Sequence, residues 1–479
     1  MPVRRGQAVR PGARRPLARS LRPSVLIGSD PRPPIVTSLP ECIVPGMQDG
    51  GAGGTVAYPL HPFPTPHEIL DRLSSSPAGT AGRWIAGSST RSVVAIAIAS
   101  AAVYLLTAPR EPTALDYFVR LADAFLHGRL YLTDHPSWLS ELIPHDGVWY
   151  VAYPPMPAIV LMPFVAVLGT GFPQQVASCL FAGAAVGLAW EMLGRFGLTG
   201  RDRLLLTAVF GFGTDLWYIA ETGTAWYISH SVAVLFAVAA VILALDRRWP
   251  WFAGLLLGCA TLARLPVGLG APFYLAMLLG LGWPPRIGRD RVPEAVLTTA
   301  WFGLGLAAPM ALYAGYDLAR WGTPIDLGYT SIPGVLQEPF YQQGILSITY
   351  IPRHLYAIFL RSWNFVDHPP WLQPSWYGLS LFLTTPLFAW LARARAVDPR
   401  TIWAGIGIGL TLVPIVTHGN VGFTQFGYRF ALDFQPLVFV VLATVFRGGM
   451  SRLAVTAAVA SIAINAYAVW AIGTGFVAF

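Results

Sequence analysis

The chain has 479 residues, of which 54% are hydrophobic and 12% charged, and its formal net charge is +8. Average soluble domains carry roughly 25% charged residues, so this composition excludes an ordinary soluble protein. The positive charge comes entirely from arginine, because the sequence contains no lysine. Arginine at the cytoplasmic ends of membrane helices accounts for this balance, so we do not expect nucleic acid as a partner.

The N-terminal residues 1–90 are rich in Arg, Pro, Gly and Ser and show no hydrophobic periodicity. Segments of this kind cannot bury enough apolar surface to fold, which predicts a disordered cytoplasmic tail. The remainder, 91–479, is predicted to form one multi-span membrane domain. Its Ala-, Gly- and Arg-rich usage is typical of a high-GC bacterium, so we expect the cytoplasmic (inner) membrane.

Apolar segments long enough to cross the roughly 30 Å hydrocarbon core recur along this domain, which predicts an all-α polytopic membrane protein. The apolar run 154–169 is assigned to the external surface, because its prolines leave too short a helix to span. With the N-terminus inside, every cytoplasmic connection then carries arginine, as the positive-inside rule favours. The eleven predicted spans are 92–108, 174–194, 204–220, 226–245, 251–264, 266–282, 294–318, 376–392, 401–417, 430–446 and 453–475.

The external loops of this arrangement hold most of the acidic residues, histidines and tryptophans outside the tail. The two longest are 109–173 and 319–375. Function is therefore expected on the extracytoplasmic face.

The first external loop begins with an amphipathic segment, 114–127. At helical spacing one face carries Leu115, Phe118, Ala122, Phe125 and Leu126, and the other carries polar side chains. A helix of this kind is predicted to lie flat on the bilayer and to hold its carboxylates just above the headgroups. The polar face consists of Asp116, Arg120, Asp123 and His127.

The order of these features resembles the GT-C superfamily of polyprenyl-phosphate-dependent glycosyltransferases. The nearest likeness is to the bacterial branch related to protein O-mannosyltransferases and the lipid A aminoarabinose transferase, and it covers most of 92–450. An acidic residue heads a surface helix after the first span, and a Pro-Pro motif follows some tens of residues later. The passages that carry the resemblance are Asp116, Asp146-Gly147-Val148-Trp149-Tyr150, Tyr153-Pro154-Pro155-Met156-Pro157, Ala263-Arg264-Leu265-Pro266, Arg320-Trp321-Gly322-Thr323-Pro324 and Gly427-Tyr428-Arg429-Phe430.

The resemblance implies an integral-membrane enzyme of the cell envelope that moves a sugar from a polyprenyl-phosphate donor to an extracytoplasmic glycan, lipid or protein. Asp116 would act as general base on the acceptor hydroxyl, with inversion at the anomeric carbon. General-base help is typically worth about 10²–10⁴-fold. The alternative for Asp116 is a surface ion-pair ladder with Arg120 and Asp123.

The sequence departs from the family pattern at three positions. Tyr117 follows Asp116 where a second acidic residue is common, and Tyr153 stands where a lysine often reaches the lipid phosphate. Ala152 stands where some relatives carry a metal-binding carboxylate, so a divalent metal has no support from the motif. Phosphate binding would then rest on arginines, whose planar fork suits phosphate oxygens.

Three arginines are candidates for that phosphate contact. Arg264 lies between two apolar runs, and its alternative role is an ion pair with a buried carboxylate such as Asp215. Arg429 begins a predicted span. Arg353, in the 319–375 loop, is as well explained by snorkelling at a surface.

Two further residues near the external ends of spans could bind the sugar or the acceptor. His230 could hydrogen-bond substrate, or it could satisfy a neighbouring helix. Glu221 is a comparable candidate, and Arg120, Asp123 and Tyr153 are further candidate substrate-binding residues. The histidines of the first loop lack the spacing of metal ligands, so no zinc site is predicted.

Two other functions remain open from the sequence. A secondary transporter would explain ionisable residues inside spans, although such proteins tend to show internal repeats. A non-catalytic protein of the same fold would explain the departures at Tyr117 and Tyr153.

Overall fold

The structure is a computed structural model that describes residues 89–369 and 371–475. The predicted tail, 1–90, lies outside the described residues except for its last two positions, which begin the first helix. The α-helices of the described part are α1 (Ser89–Thr107), α2 (Tyr117–Leu126), α3 (Met156–Leu168), α4 (Gln174–Leu193), α5 (Gly200–Phe212), α6 (Leu216–Thr222), α7 (Ala225–Leu245), α8 (Pro250–Ala263), α9 (Ala271–Leu279), α10 (Val292–Trp321), α11 (Ile351–Phe359), α12 (Leu381–Thr384), α13 (Pro399–Thr417), α14 (Gln435–Val445) and α15 (Arg452–Gly473).

Short 3-10 helices and two antiparallel strand pairs complete the described part. Strand β1 (Leu142–His145) pairs with β2 (Val148–Val151), and β3 (Asn364–Phe365) pairs with β4 (Leu372–Gln373). The 3-10 helices are Gly194–Phe196, Leu265–Gly270, Arg289–Arg291, Tyr329–Ser331, Val335–Gln337, Ile348–Tyr350, Pro386–Arg393 and Arg429–Asp433.

Long apolar helices make this a multi-pass membrane protein. Within the described ranges six helical segments are long and apolar enough to cross a bilayer. Helices α5 and α6 meet at a 47° bend, and counting them as one broken span gives seven. The six segments are Thr90–Thr107, Gln174–Phe196, Ala225–Leu245, Arg289–Trp321, Pro399–Thr417 and Arg452–Gly473.

The predicted count of eleven spans is not confirmed, because four predicted segments form shorter or irregular helices. Helices α8 and α14 have 14 and 11 residues, about 21 Å and 16 Å at 1.5 Å per residue. Helix α9 begins only after a 3-10 turn. The segment 376–392 is not one continuous helix, because Thr385 before Pro386 has a non-helical backbone (φ −131°, ψ 77°).

The helices pack through small residues that let their backbones approach closely. Helix α8 packs along α10, and a Cβ added at Gly254 would collide with the carbonyl of Phe302. In the reverse direction, a Cβ at Gly305 would collide with the carbonyl of Trp251. Close backbone packing of this kind is a principal source of helix association in membranes.

The loops that are predicted to be external meet at one end of the long helices. Arg320 donates to the carbonyl of Val151 (2.8 Å). The Gly419 backbone amide donates to the carbonyl of Ile345 (2.9 Å). Segments 142–151, 319–375 and 418–429 therefore form one loop assembly.

The arginine-bearing connections gather at the other end of the same helices. Arg195, just after α4, pairs with Asp246, just after α7 (2.6 Å). Arg447 pairs with Asp398, the residue that precedes α13 (2.7 Å). The separation of the two kinds of loop agrees with the predicted topology, and the assignment of the arginine end to the cytoplasm stays a prediction.

Helix α2 keeps the predicted polar face, but protein covers most of its opposite side. Of the predicted apolar face, Phe118 and Ala122 are fully buried and Leu115 and Phe125 are half-buried, whereas Leu126 is 40% exposed. Helix α3 packs against this buried side. Protein therefore covers most of the apolar face, and the expectation that this face rests on lipid is not supported.

Candidate active site

Asp116 lies in a polar pocket that we call the loop pocket, beside the N-terminus of α2. Its Oδ1 accepts a hydrogen bond from Arg120 Nε (2.9 Å), and Arg120 Nη1 pairs with Asp134 Oδ2 (2.8 Å). The side chain of Asp116 is 24% exposed. The loop pocket has a volume of about 250 Å³, and its polar lining comprises Asp116, Arg120, Asp123, Arg129, Tyr131, Thr133, Asp134 and Thr170.

The ion-pair ladder kept open for Asp116 is formed in part. Asp116 and Arg120 are paired, but Asp123 contacts Arg129 Nη2 (3.8 Å) and His127 Nδ1 (3.5 Å) rather than Arg120. Partly exposed pairs of this kind contribute about 0–1 kcal/mol each. The pairs therefore position Asp116 without accounting for much of the stability of the fold.

Arg264, His230 and Asp433 meet at a buried carboxylate. Arg264 Nε lies 3.0 Å from Asp433 Oδ1 and Nη2 lies 2.8 Å from Oδ2, so the guanidinium contacts both oxygens. His230 Nδ1 lies 2.9 Å from Asp433 Oδ1. The side chain of Arg264 remains 22% exposed, whereas those of His230 and Asp433 are fully covered.

The partner of Arg264 differs from the expected one. The sequence analysis named Asp215 as an example of a carboxylate partner, but Asp215 accepts a hydrogen bond from the backbone amide of Gly427 (3.0 Å). Helix α8 ends at Ala263, and Arg264 turns into an extended conformation before Pro266, which directs the chain away from the helix. The sequence separation of Arg264 and Asp433 explains why no local pattern pairs them.

Arg429 brings a second guanidinium to the same place. It is 7% exposed and donates through Nη1 to the carbonyl of Phe423 (2.9 Å) and to Gln425 Oε1 (3.0 Å). Its Cζ lies 5.1 Å from the centre of the Phe430 ring, and Arg264 Cζ lies 5.4 Å from that same centre. We call Arg264, Arg429, Asp433 and His230 the arginine–aspartate cluster.

The cluster has more positive charge and more donor capacity than its own residues use. Arg264 pairs with Asp433, whereas no ion pair of Arg429 with a carboxylate is found among the described residues. Arg429 Nε is buried and has no hydrogen-bond partner among the described residues. A buried donor without an acceptor is costly, and an anion would satisfy it.

Glu141 is a candidate functional residue that no sequence motif singled out. Its Oε2 accepts a hydrogen bond from Trp226 Nε1 (3.0 Å). Burial raises the pKa of Glu141 to about 7, because the lowering effects of the Trp226 hydrogen bond and the Arg429 charge do not offset it and Glu338 adds repulsion. Glu141 stands in an aperiodic loop outside every quoted motif, so no sequence signal singled it out.

Tyr153 lies beside Glu141, and its role in binding substrate stays a prediction. Its hydroxyl accepts a hydrogen bond from Trp226 Nε1 (2.6 Å). The centre of its ring lies 5.8 Å from that of Tyr117 and 6.0 Å from that of Phe118. The Tyr117 hydroxyl in turn accepts from the Glu141 backbone amide (3.1 Å). Tyr153 and Tyr117 therefore connect α2, which Asp116 heads, to Glu141.

Two other predicted residues have different surroundings. Glu221 is buried in α6, and its Oε2 has no hydrogen-bond partner within the described part of the chain. Arg353 donates to the carbonyl of Gly419 (2.5 Å) and lies over Tyr350. Arg353 thus ties two loops together, and no described contact places either residue in the arginine–aspartate cluster.

His418 is a second residue that the analysis missed. The centre of its ring lies 6.3 Å from that of Phe430 and 5.6 Å from that of Tyr329. Burial, together with the charges of Arg264 and Arg429, lowers the pKa of His418 to about 4, against a hydrogen bond with the Asn420 carbonyl. His418 is therefore neutral at pH 7 and can donate or accept a hydrogen bond at the edge of the cluster.

Metal-ligand clusters are the remaining type of site. Among residues 89–369 and 371–475, no group of three His, Cys, Asp or Glu side chains is arranged to hold a metal ion.

Comparison with known proteins gives distant likenesses. No protein-family model matches the sequence. Two 4-hydroxybenzoate octaprenyltransferases, from Pseudomonas syringae pv. syringae (strain B728a) and pv. tomato (strain ATCC BAA-871 / DC3000), are each 27% identical to this chain, over 47% and 49% of it and 82% and 86% of their own lengths. The crystal structure of ArnT from Cupriavidus metallidurans bound to undecaprenyl phosphate is 14% identical, with a TM-score of 0.44 over 74% of this chain and 59% of that one. Likenesses at this level do not place the chain in a family.

Proposed function

We propose that this protein is an integral-membrane glycosyltransferase that takes a sugar from a polyprenyl-phosphate donor. The observation that carries the proposal is the arginine–aspartate cluster at the end of the membrane helices. Arg264 and Arg429 lie within 5.4 Å of one ring, and Arg429 Nε has no described partner. A lipid-linked phosphate supplies the oxygens that these donors need. The GT-C-like order of motifs supports the same substrate class.

The proposed reaction needs a base and an anion site but little general acid. The acceptor oxygen forms a bond to the anomeric carbon while the bond from that carbon to the phosphate oxygen breaks. The electron pair leaves on the polyprenyl phosphate, whose charge the two arginines stabilise. The acceptor proton passes to a carboxylate, and attack from the opposite face inverts the anomeric configuration.

Two carboxylates are candidates for the base. The resemblance favours Asp116, and we retain it as the proposed base. Glu141 is the rival, because its carboxylate is close enough to Arg429 for the charge to act on it and its pKa of about 7 suits general-base catalysis at neutral pH. If Glu141 were the base, the rate would rise with pH through a midpoint near 7, and Glu141→Gln would abolish that rise.

The proposal is tested by the lipid content of cells that lack this chain. We expect them to accumulate a polyprenyl-phospho-sugar, measured by mass spectrometry of lipid extracts. The wild-type gene should restore the normal level, and Arg429→Gln should not. Unchanged polyprenyl-phospho-sugars would contradict the proposal.

The names of the two Pseudomonas relatives favour a second candidate function, the transfer of a prenyl chain to an aromatic acid. The same lipid extracts distinguish it. Accumulation of a prenyl diphosphate and an aromatic acid, with normal polyprenyl-phospho-sugars, would support prenyl transfer instead. If the protein were a secondary transporter, cells that lack it would show normal levels of both lipid classes.

A further inference from the structure

Two adjoining cavities lie at the arginine end of the helices, away from the loop assembly. The larger, of about 580 Å³, is lined by Arg195, Arg247, Arg400 and Arg447. The smaller, of about 390 Å³, is lined by Arg393, Arg395 and again Arg447. Asp398 lines both and is the one acidic residue among their described lining residues. We call the two together the basic cavity.

Local carboxylates balance only part of this charge. Asp398 caps α13 and pairs with Arg447 (2.7 Å) and Arg400 (3.3 Å), so one carboxylate serves two arginines. Arg195 pairs with both Asp246 (2.6 Å) and Glu191 (3.1 Å). Arg247, Arg393 and Arg395 also line the basic cavity and carry further positive charge. The basic cavity therefore has an excess of positive charge that attracts anions.

The end of α7 places Arg247 at the wall of the cavity. Its φ is +53°, the left-handed value of a helix C-cap, in which the Arg247 amide donates to the carbonyl of Ala244 (3.1 Å) and the Arg248 amide donates to that of Leu243 (3.0 Å). The Arg247 guanidinium packs directly on Gly280, where an added Cβ would collide with Arg247 Cζ.

The walls and the rim of the larger cavity indicate a lipid rather than a free ion. Leu245, Met277 and Leu281 supply apolar lining beside the arginines. Trp403 Nε1 donates to the carbonyl of Gly282 (3.4 Å), a lining residue, and its ring contacts Trp283, which is 52% exposed. Tryptophans of membrane proteins concentrate at the level of the lipid headgroups. The cavity therefore opens where a headgroup and the start of an acyl chain would lie.

We propose that the basic cavity binds the phosphate headgroup of an anionic membrane lipid, with the upper part of an acyl chain against Leu245, Met277 and Leu281. Basic pockets between membrane helices are suited to such headgroups. This site is separate from the arginine–aspartate cluster, so it does not depend on the proposed sugar transfer.

Native mass spectrometry of the purified full-length protein tests the site. The probes are dioleoylphosphatidylglycerol, dioleoylphosphatidylcholine and inorganic phosphate, each titrated separately. Arg247→Gln/Arg395→Gln should weaken binding of phosphatidylglycerol by about 10- to 30-fold, because each of these two arginines would lose its contact with the bound headgroup. The matched control is Arg286→Gln/Arg289→Gln, two exposed arginines of the same loop region that line neither cavity. The control should bind within twofold of wild type.

Each other outcome overturns the proposal. Equal weakening in the control pair would mean that diffuse surface charge binds the lipid. Equal binding of phosphatidylcholine would remove the requirement for an anionic headgroup, and saturation by inorganic phosphate without a lipid adduct would identify a free-anion site. If the double variant fails to fold, as judged by its melting temperature, the exposed Arg395→Gln alone should weaken phosphatidylglycerol binding about fivefold, and unchanged binding would contradict the assignment.

Discussion

At the scale of single residues, two carboxylates with different surroundings could accept the proton. Asp116 is partly exposed, and Arg120 engages one of its oxygens. Glu141 accepts a hydrogen bond from the indole N–H of Trp226, and burial raises its pKa to about 7. Tyr117 and Tyr153 connect the helix that Asp116 heads to Glu141. We therefore expect a substitution at either carboxylate to affect the same reaction.

The first prediction concerns Asp116. Asp116→Asn removes the basic oxygen and keeps the shape, so transfer should fall by about 10²-fold or more. The control is Asp134→Asn, since Asp134 contacts the same Arg120 and is 59% exposed. We expect the control to keep activity within a few-fold. Equal losses would show that the ion-pair network, rather than the base, is what Asp116 supplies.

The second prediction concerns Glu141 and pH. Because its pKa rises from 4.5 to about 7 on folding, the folded state holds this proton more tightly than the unfolded chain. The associated stability is present below pH 4.5 and is lost as pH rises through 7. Between pH 5 and 8 the melting temperature of wild type should fall roughly 2–4 °C more than that of Glu141→Gln. Glu294→Gln, at a site 75% exposed, should behave as wild type. Identical pH dependence in all three proteins would refute the shift.

Residue-level prediction from the sequence succeeded where a periodic pattern existed. The polar face of α2, with Asp116 and Arg120, follows from helical spacing. Glu141 was missed because it stands in an aperiodic loop. The contact of Arg264 with Asp433 was missed because the two residues are 169 positions apart and only tertiary packing brings them together.

At the scale of elements, the association of α8 and α10 depends on glycines, which have no side chain and let the two backbones approach closely. The third prediction compares two glycines of α10. Gly305→Ala places a methyl group against the carbonyl of Trp251 and should destabilise the protein, whereas Gly303 has nothing within 4 Å of an added Cβ. Gly303→Ala should be neutral or stabilising, by up to about 1 kcal/mol of helix propensity. Thermal unfolding in detergent measures both, and a Gly305→Ala variant as stable as wild type would contradict the close packing.

Some elements could have been predicted more closely from the same sequence. Asp146 and Gly147 both have positive φ (49° and 77°) in the turn between β1 and β2. Asp-Gly between alternating residues is a strong signal for such a two-residue hairpin, and it was quoted only as part of a motif. The short helices α8, α9 and α14 could not be told from full spans by hydropathy, because apolar segments buried in protein and in lipid have the same composition.

At the scale of the whole molecule, polar chemistry divides between the two ends of the helices. The loop assembly, the loop pocket, Glu141 and the arginine–aspartate cluster lie at one end, and the basic cavity lies at the other. The fourth prediction is the orientation of this division. In a background without the native cysteines, a membrane-impermeant maleimide should label His127→Cys in intact cells and Arg286→Cys only after the membrane is opened. Both side chains are exposed, so the reversed pattern would contradict an extracytoplasmic active face.

Turnover of the donor by the purified protein tests the central claim most directly. Protein in proteoliposomes would be supplied with the lipid extract of cells that lack the chain, together with a cell-envelope acceptor fraction. Mass spectrometry would follow the polyprenyl-phospho-sugar and the polyprenyl phosphate. We predict that wild type converts the first into the second and that Arg429→Gln, with an unchanged melting temperature, does so at least about 100-fold more slowly. Full conversion by that variant, or no conversion by wild type, would contradict the account.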